Sequence, residues 1–279
     1  MNGWLEAALL GLLQGLTEFL PVSSSAHLRI AGAFLPSGTD PGAAFTAITQ
    51  IGTEAAVLLY FRRDIWRITM AWLRSLRAPG TPLPGNAADA RMGWLVILGT
   101  LPIAVLGLAF KEAIEGPLRN LYITAAMLVL FAVLLGFADR VGIKRKPLEA
   151  LSWRDGLFFG LAQAMALVPG VSRSGGTITA GLAMGYTREA AARYSFLLAI
   201  PAVLASGFLE LFDSWGHFGP MSPGQTALAT ALAFVVGYGV IALFLRVVAT
   251  RSYMSFVLYR IAAGSALLVL LLAGIIPPI

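Results

Sequence analysis

Cysteine is absent from the 279-residue chain, and charged side chains make up only 12% of it, where a soluble domain carries about a quarter. The first absence excludes a disulfide framework, thiolate zinc sites, iron–sulfur clusters and a cysteine nucleophile. The second excludes a water-soluble globule and a disordered chain alike, because hydrophobic residues fill 58% of the sequence and the mean hydropathy is +0.79. This is the composition of an all-α polytopic membrane protein. The net charge is +6. In such a chain basic residues collect in cytoplasmic loops, so no nucleic-acid partner is expected.

Crossing about 30 Å of hydrocarbon takes about 20 apolar residues in a helix. Six windows meet that length, near 43–61, 92–110, 120–138, 190–212, 226–248 and 255–276. Two further apolar regions, 3–36 and 153–185, are interrupted by PVSSS (Pro21 to Ser25) and by PGVSRSGG (Pro169 to Gly176). Proline and glycine there free backbone groups, which survive at membrane depth only when protein or a water-filled cavity surrounds them. Each region is therefore expected to form a re-entrant helix-loop-helix hairpin. No lysine or arginine precedes Glu6, so a signal peptide with a basic leading segment is not expected.

The basic residues orient these spans. Segments 62–91, 139–155, 186–193 and 246–254 hold fifteen of the twenty, whereas 37–42 and 213–225 hold none and 111–119 only Lys111 and Arg119. The positive-inside rule places the first group in the cytoplasm and the second outside. The hairpin 3–36 then enters from the outer side, the hairpin 153–185 from the cytoplasmic side, and both termini lie outside. The segment 75–91, rich in Pro and Gly, reads as an exposed cytoplasmic connection.

The chain also repeats itself. GLLQ (11–14) ahead of VSSS (22–25), and GLAQ (160–163) ahead of VSRS (171–174), share an offset of 149 residues. Three spans follow each copy, and three is odd, so the copies, about 1–140 and 150–279, are expected to have opposite orientation within one membrane domain. In such inverted repeats the broken helices meet near the midplane and form the binding site.

The two interruptions hold the reactive side chains. Gln14 and Glu18 lie four apart on one helix face. An acid at membrane depth is a functional candidate by default, the plainer reading being a structural hydrogen bond between helices. Ser23, Ser24 and Ser25 follow, with His27 one turn beyond Ser24. A helix beginning near Ser24 would have its amides capped by the hydroxyls, and its positive end would favour an anion; capping alone also accounts for the serines. In the second interruption Arg173 sits between Ser172 and Ser174, ahead of Gly175, Gly176 and Thr177. Hydroxyls, glycine amides, a helix N-terminus and a guanidinium make an oxyanion cradle with more donors than one carboxylate needs, which favours phosphate. With both interruptions together, a serine deprotonated by a neighbouring base, His27 being suitably spaced from Ser24, would attack phosphorus. Arg173 would neutralise the leaving phosphate. One carboxylate does not hold Mg²⁺ tightly, but Glu18 with diphosphate oxygens would suffice.

Other polar residues are less defined. Gln50 and Glu54 share a face of the first span, with Thr46 one turn earlier; they line a polar cavity, or Glu54 is protonated and bonded to a neighbouring helix. Arg29 is expected to snorkel to the outer interface and His217 to lie in an outer loop. Trp66, Trp72, Trp94, Trp153 and Trp215 read as interface anchors.

QGLTEFLPVSSSAH (14–27) together with PGVSRSGGTITAGLAMG (169–185) resembles the bacterial undecaprenyl-diphosphatase family, also called the bacitracin-resistance family. The likeness runs along the chain and includes Arg62, Arg63 and SFLLAIPA (195–202). It implies hydrolysis of undecaprenyl diphosphate to the monophosphate and inorganic phosphate at the outer side of the bacterial inner membrane. That reaction recycles the lipid carrier of cell-wall synthesis and confers resistance to bacitracin, which competes for the same lipid. The resemblance also implies a divalent cation, Mg²⁺ ahead of Ca²⁺, and attack by Ser24 with His27 and Glu18 assisting and Arg173 stabilising charge. Ser23, Ser172, Ser174 and Thr177 fall on further motif positions. Gln at position 14 removes a second carboxylate from the first motif, and Glu54 is not a residue the resemblance carries over. The runner-up reading is a transporter or flippase of undecaprenyl phosphate or another anionic lipid. Lipid phosphatases with a histidine nucleophile, marked by PSGH and SR-x5-H, are disfavoured, since position 179 is Thr and there is no second intramembrane histidine. The nucleophile among the serines or water, and homo-oligomerisation, are left open.

Overall fold

The structure, a computed structural model, describes residues 3–36, 40–77, 87–215 and 219–278; His217 and the middle of the 75–91 connection lie outside the described residues. The helices are α1 (Gly3–Thr17), α2 (Ser24–Phe34), α3 (Gly42–Tyr60), α4 (Arg62–Arg77), α5 (Ala87–Ala109) and α6 (Lys111–Glu115), then α7 (Leu121–Val141), α8 (Trp153–Ala164), α9 (Arg173–Ala183), α10 (Arg188–Asp213), α11 (Pro223–Thr250) and α12 (Met254–Leu272). No strand occurs among the described residues. Six helices, α3, α5, α7, α10, α11 and α12, are long and apolar enough to cross a membrane. Each overlaps one of the windows read from the sequence. Their starts are set locally: Asn120, Thr187 and Ser222 cap α7, α10 and α11 with their side chains, and Pro223 follows Ser222 where a missing N–H costs nothing.

Phe19, Phe61, Phe196, Phe244 and Tyr253 are the large side chains at the centre of the packing. Leu108, Phe137, Phe212 and Leu272 point outward and are mostly exposed, as suits an apolar surrounding. The exposed Trp66, Trp94, Trp153 and Trp215 lie near span ends, and Trp72 packs edge-on against Trp94. Helix α4 gives secondary structure to a stretch that the sequence marks only as basic. Its arginines alternate with Ile65, Ile68 and Ala71 at helical spacing, so an apolar stripe lies on the bundle while Arg67 pairs with Asp64 and Asp89.

The interrupted regions form two helix pairs, α1 with α2 and α8 with α9. At 1.5 Å per residue none of these four helices spans a bilayer. Helix α1 packs on α11 and α8 on α5. Both contacts bring backbones together: a Cβ on Gly11 would lie 2.5 Å from the Ala229 carbonyl oxygen, and one on Gly160 would lie 2.6 Å from that of Gly99. Only glycine fits at these positions.

Candidate active site

Helix α1 ends at Thr17 because Pro21 cannot donate to the ladder, and the chain turns before α2 starts. The turn ends at Ser23 with φ 72°; the turn ahead of α9 ends at Ser172 with φ 70°. Left-handed backbone is unusual for serine and persists only where the surroundings over-determine it. Arg260 supplies much of that constraint. It reaches in from α12, fully buried, and donates to the carbonyls of Pro21 (3.0 Å), Gly170 (2.8 Å) and Val171 (3.0 Å) in the two turns. It also donates to Met127 and Leu128 of α7. Ser174 Oγ adds a bond to the Leu20 carbonyl at 3.0 Å. The two turns are thereby held against each other.

Glu18 stands at the centre. Its Oε1 accepts from Arg173 Nη2 at 2.7 Å, and its Oε2 accepts from Ser24 Oγ at 2.6 Å, Gln14 Nε2 at 2.8 Å and Gln50 Nε2 at 3.4 Å. Glu54 approaches from α3 with no exposed surface, its Oε2 3.9 Å from Arg173 Nη1. Neither oxygen of Glu54 accepts a hydrogen bond, and Gln14 Oε1 and Arg173 Nη1 are likewise unpartnered. The structure thus brings together Gln14, Glu18, Ser24, Gln50, Glu54 and Arg173, from α1, α2, α3 and α9.

His27 is placed differently from the expectation. Its Nδ1 lies 2.7 Å from the Ser23 carbonyl and its Nε2 2.6 Å from Tyr259 Oη, with the two rings stacked. A carbonyl only accepts, so Nδ1 carries the hydrogen and Nε2 accepts from the tyrosine. The reason is spacing: His27 is four residues from Ser23, whose carbonyl takes the ring, and three from Ser24, whose hydroxyl turns to Glu18 instead.

The capping expectation holds at one turn only. Ser172 Oγ accepts from the Gly175 amide at 3.1 Å, whereas Ser23 caps no amide and lies 3.3 Å from Ser25 Oγ. Ser172 Oγ is also 3.2 Å from Ser174 Oγ. Thr177, expected beside phosphate, is buried with its hydroxyl on the Arg173 carbonyl and on Ser195 Oγ. The glycines after Arg173 serve protein packing: a Cβ on Gly175 would lie 2.7 Å from Arg260 Nη1, and one on Gly176 would lie 3.0 Å from the Ala162 carbonyl.

Arg29 does not snorkel. It is buried, donating to Asp40 at 2.9 Å and to Thr124 at 3.4 Å, and Arg119 binds the same Asp40 carboxylate. Burial opposes the charge on Asp40, but the hydrogen bond and charge of Arg119, the Gly42 amide and the charge of Arg29 together hold its carboxyl below the usual carboxylate range. Tyr259 and Arg260 escaped the sequence reading of the site. The signal available was an arginine inside an apolar span, which marks a functional or structural centre without naming its partners.

Comparison with known proteins fits this arrangement. The family model described as bacitracin resistance protein BacA matches residues 7–266. This chain belongs to that family. An undecaprenyl-diphosphatase 2 of Agrobacterium fabrum is 67% identical over 274 residues, covering 98% of each chain. An undecaprenyl-diphosphatase of Micrococcus luteus is 60% identical over 276 residues, covering 98% of this chain and 99% of its own. That of Paenarthrobacter aurescens is 63% identical over 271 residues, covering 96% and 97%. The BacA motif serines, Glu18 and Arg173 all lie at the junction of the two turns. No group of three or more His, Cys, Asp or Glu side chains is gathered among the described residues.

Proposed function

We propose that this protein hydrolyses undecaprenyl diphosphate to undecaprenyl phosphate and inorganic phosphate. The observation that carries the mechanism is Ser24 Oγ–H donating at 2.6 Å to a carboxylate that also holds Arg173. Ser24 Oγ attacks the terminal phosphorus as its proton passes to Glu18 Oε2, and the anhydride P–O bond breaks. On taking the proton Glu18 loses its charge and with it much of its grip on Arg173, which turns its paired donors to the phosphoryl oxygens. Glu18 returns the proton to the departing undecaprenyl phosphate. A water then attacks the seryl phosphate, giving its proton to Glu18, which passes it back to Ser24. His27, fixed on Ser23 and Tyr259, orients the turn; it is not the base for Ser24.

The lipid tail stays in the bilayer while the diphosphate enters at the outer side of the inner membrane, where bacitracin competes for the same lipid. The helix pairs α1–α2 and α8–α9 are re-entrant hairpins of an inverted repeat. Three observations favour this: two left-handed serines 149 residues apart, glycine contacts at the same offset, and the exchange of α1 on α11 for α8 on α5. A divalent cation, Mg²⁺ or Ca²⁺, belongs to the reading, because buried side-chain oxygens without a hydrogen-bond partner adjoin Glu18 and are the donors such ions take. The cation supplies charge neutralisation for the diphosphate.

The test is phosphate release from the lipid by Glu18→Ala, Ser24→Ala, His27→Ala and Arg173→Ala proteins that remain folded in detergent. Near-normal turnover by Arg173→Ala removes the clamp, and near-normal turnover by Ser24→Ala removes the covalent route. Head-group translocation in sealed vesicles without phosphate release would replace hydrolysis with transport.

A further inference from the structure

We propose that the divalent cation is held by Glu54, with the side-chain oxygen of Gln14, and not by Glu18. The inference rests on the hydrolase reading above and concerns which carboxylate has coordination capacity to spare. A carboxylate offers about four lone-pair sites. Both oxygens of Glu18 already have partners, Oε1 holding Arg173 and Oε2 being crowded by Ser24, Gln14 and Gln50. Glu54 is the opposite case: it is fully buried, and both of its oxygens are without a hydrogen-bond partner. A buried carboxylate that accepts no hydrogen bond is among the most expensive groups a fold can carry. Arg173 Nη1, 3.9 Å away, lies beyond hydrogen-bonding distance and satisfies neither oxygen.

The face on which Glu54 sits opens into the site. Gln50, one turn earlier on α3, reaches Glu18 Oε2 at 3.4 Å. Helix α1 packs against α3, and Gln14 turns its amide nitrogen to Glu18, leaving Oε1 buried and unpartnered. Two oxygen-bearing side chains, one neutral and one acidic, thus have free oxygens at one junction. Mg²⁺ and Mn²⁺ take this donor type, completing their shell with water and phosphate oxygens.

Charge points the same way. Two carboxyl groups face one guanidinium at the centre, so Arg173 balances the charge of only one of them. A diphosphate adds several negative charges and draws Arg173 from the carboxylates. A divalent ion between Glu54 and the phosphates offsets that charge and takes up the free oxygens of both Glu54 and Gln14, whereas a proton on Glu54 would offset one charge only. The first motif carries Gln rather than an acid at position 14, and α3 supplies the missing carboxylate from a different part of the chain.

The experiment measures Mn²⁺ binding by electron paramagnetic resonance to the full-length protein in detergent, with farnesyl methylenediphosphonate as a non-hydrolysable diphosphate. Glu54→Gln is expected to weaken Mn²⁺ binding about tenfold or more. Glu18→Gln should leave Mn²⁺ binding nearly unchanged while stopping phosphate release. Adding Gln14→Glu to Glu54→Gln should restore much of the lost affinity, by returning a carboxylate to the same junction from α1. Glu54→Asp, which keeps charge and helix and covers the case of a misfolded Gln variant, should bind Mn²⁺ with intermediate affinity. Wild-type affinity in Glu54→Gln or Glu54→Asp, with loss in Glu18→Gln, would overturn the inference and return the ion to Glu18, leaving the hydrolase reading intact. Absence of Mn²⁺ uptake by the wild-type protein would overturn both the inference and the cation in the proposed reaction, and phosphate release in excess chelator would then report on hydrolysis alone.

Discussion

The turns ahead of α2 and α9 share a backbone and differ in what their hydroxyls do. Both end on a left-handed serine, and both give a carbonyl to Arg260. In the first turn Ser23 caps nothing and Ser24 points at Glu18; in the second, Ser172 caps α9 and Ser174 bonds to the Leu20 carbonyl. On the proposed mechanism the first turn reacts and the second holds Arg173 in place, so one strained geometry serves chemistry on one side and positioning on the other.

That division can be broken by mutation, and the largest effects belong to the reactive turn. Ser24→Ala and Glu18→Gln should each lower kcat by about 10²- to 10⁴-fold, measured as phosphate release; a Ser24→Ala enzyme retaining a tenth of wild-type turnover would remove the distinction. Next comes the residue serving both turns. Arg260→Met leaves several buried carbonyls unpaired, at about 1–3 kcal/mol for each group left unsatisfied. Its thermal midpoint in detergent should fall sharply, and an unchanged midpoint would show that the turns hold themselves.

Smaller changes sharpen the comparison. Ser172→Ala loses a helix cap, about 1 kcal/mol, and should lower the thermal midpoint by a few degrees with kcat within about threefold of wild type; a loss as large as that of Ser24→Ala would give both turns the same role. Tyr259→Phe removes the donor to His27 Nε2, so the pH profile of kcat/KM should move while the fold, read by circular dichroism, stays. Identical profiles would show that the tyrosine merely packs. The smallest effect lies at the outer edge. Asp40 has a lowered pKa, so its contribution to stability is present above the ordinary carboxylate value, about 4, and is lost as pH falls through the lowered one. Asp40→Asn should therefore flatten the pH dependence of stability only at the acid end, and a change near neutrality would contradict the assignment.

Much of this was legible from residue order. Six spans follow from run length and hydropathy, and the motif turns follow from proline and glycine inside apolar stretches. Glu18, Ser24 and Arg173 stand out because charged and hydroxyl groups are costly at that depth. Helix α4 was less visible, since its arginines masked the apolar stripe beneath them. Arg29 was misread because its partner, Asp40, lies in a separate segment, and a snorkelling arginine and a paired one have the same local sequence. Spacing and resemblance both point His27 towards Ser24, although a ring at that position is equally placed to reach a carbonyl one residue earlier.

What the order of residues determines here is local: which stretches are apolar enough to leave water, where the backbone must break, and which side chains are too polar to be there without a purpose. Partnership was decided by the folded chain. Arg260 is one more arginine until three distant backbones converge on it, and Glu54 is one more buried acid until Glu18 is seen with its oxygens already occupied. Hydrogen bonds at 3 Å depend on positions set by contacts more than a hundred residues apart, and no periodicity in a single strand of sequence encodes those positions directly.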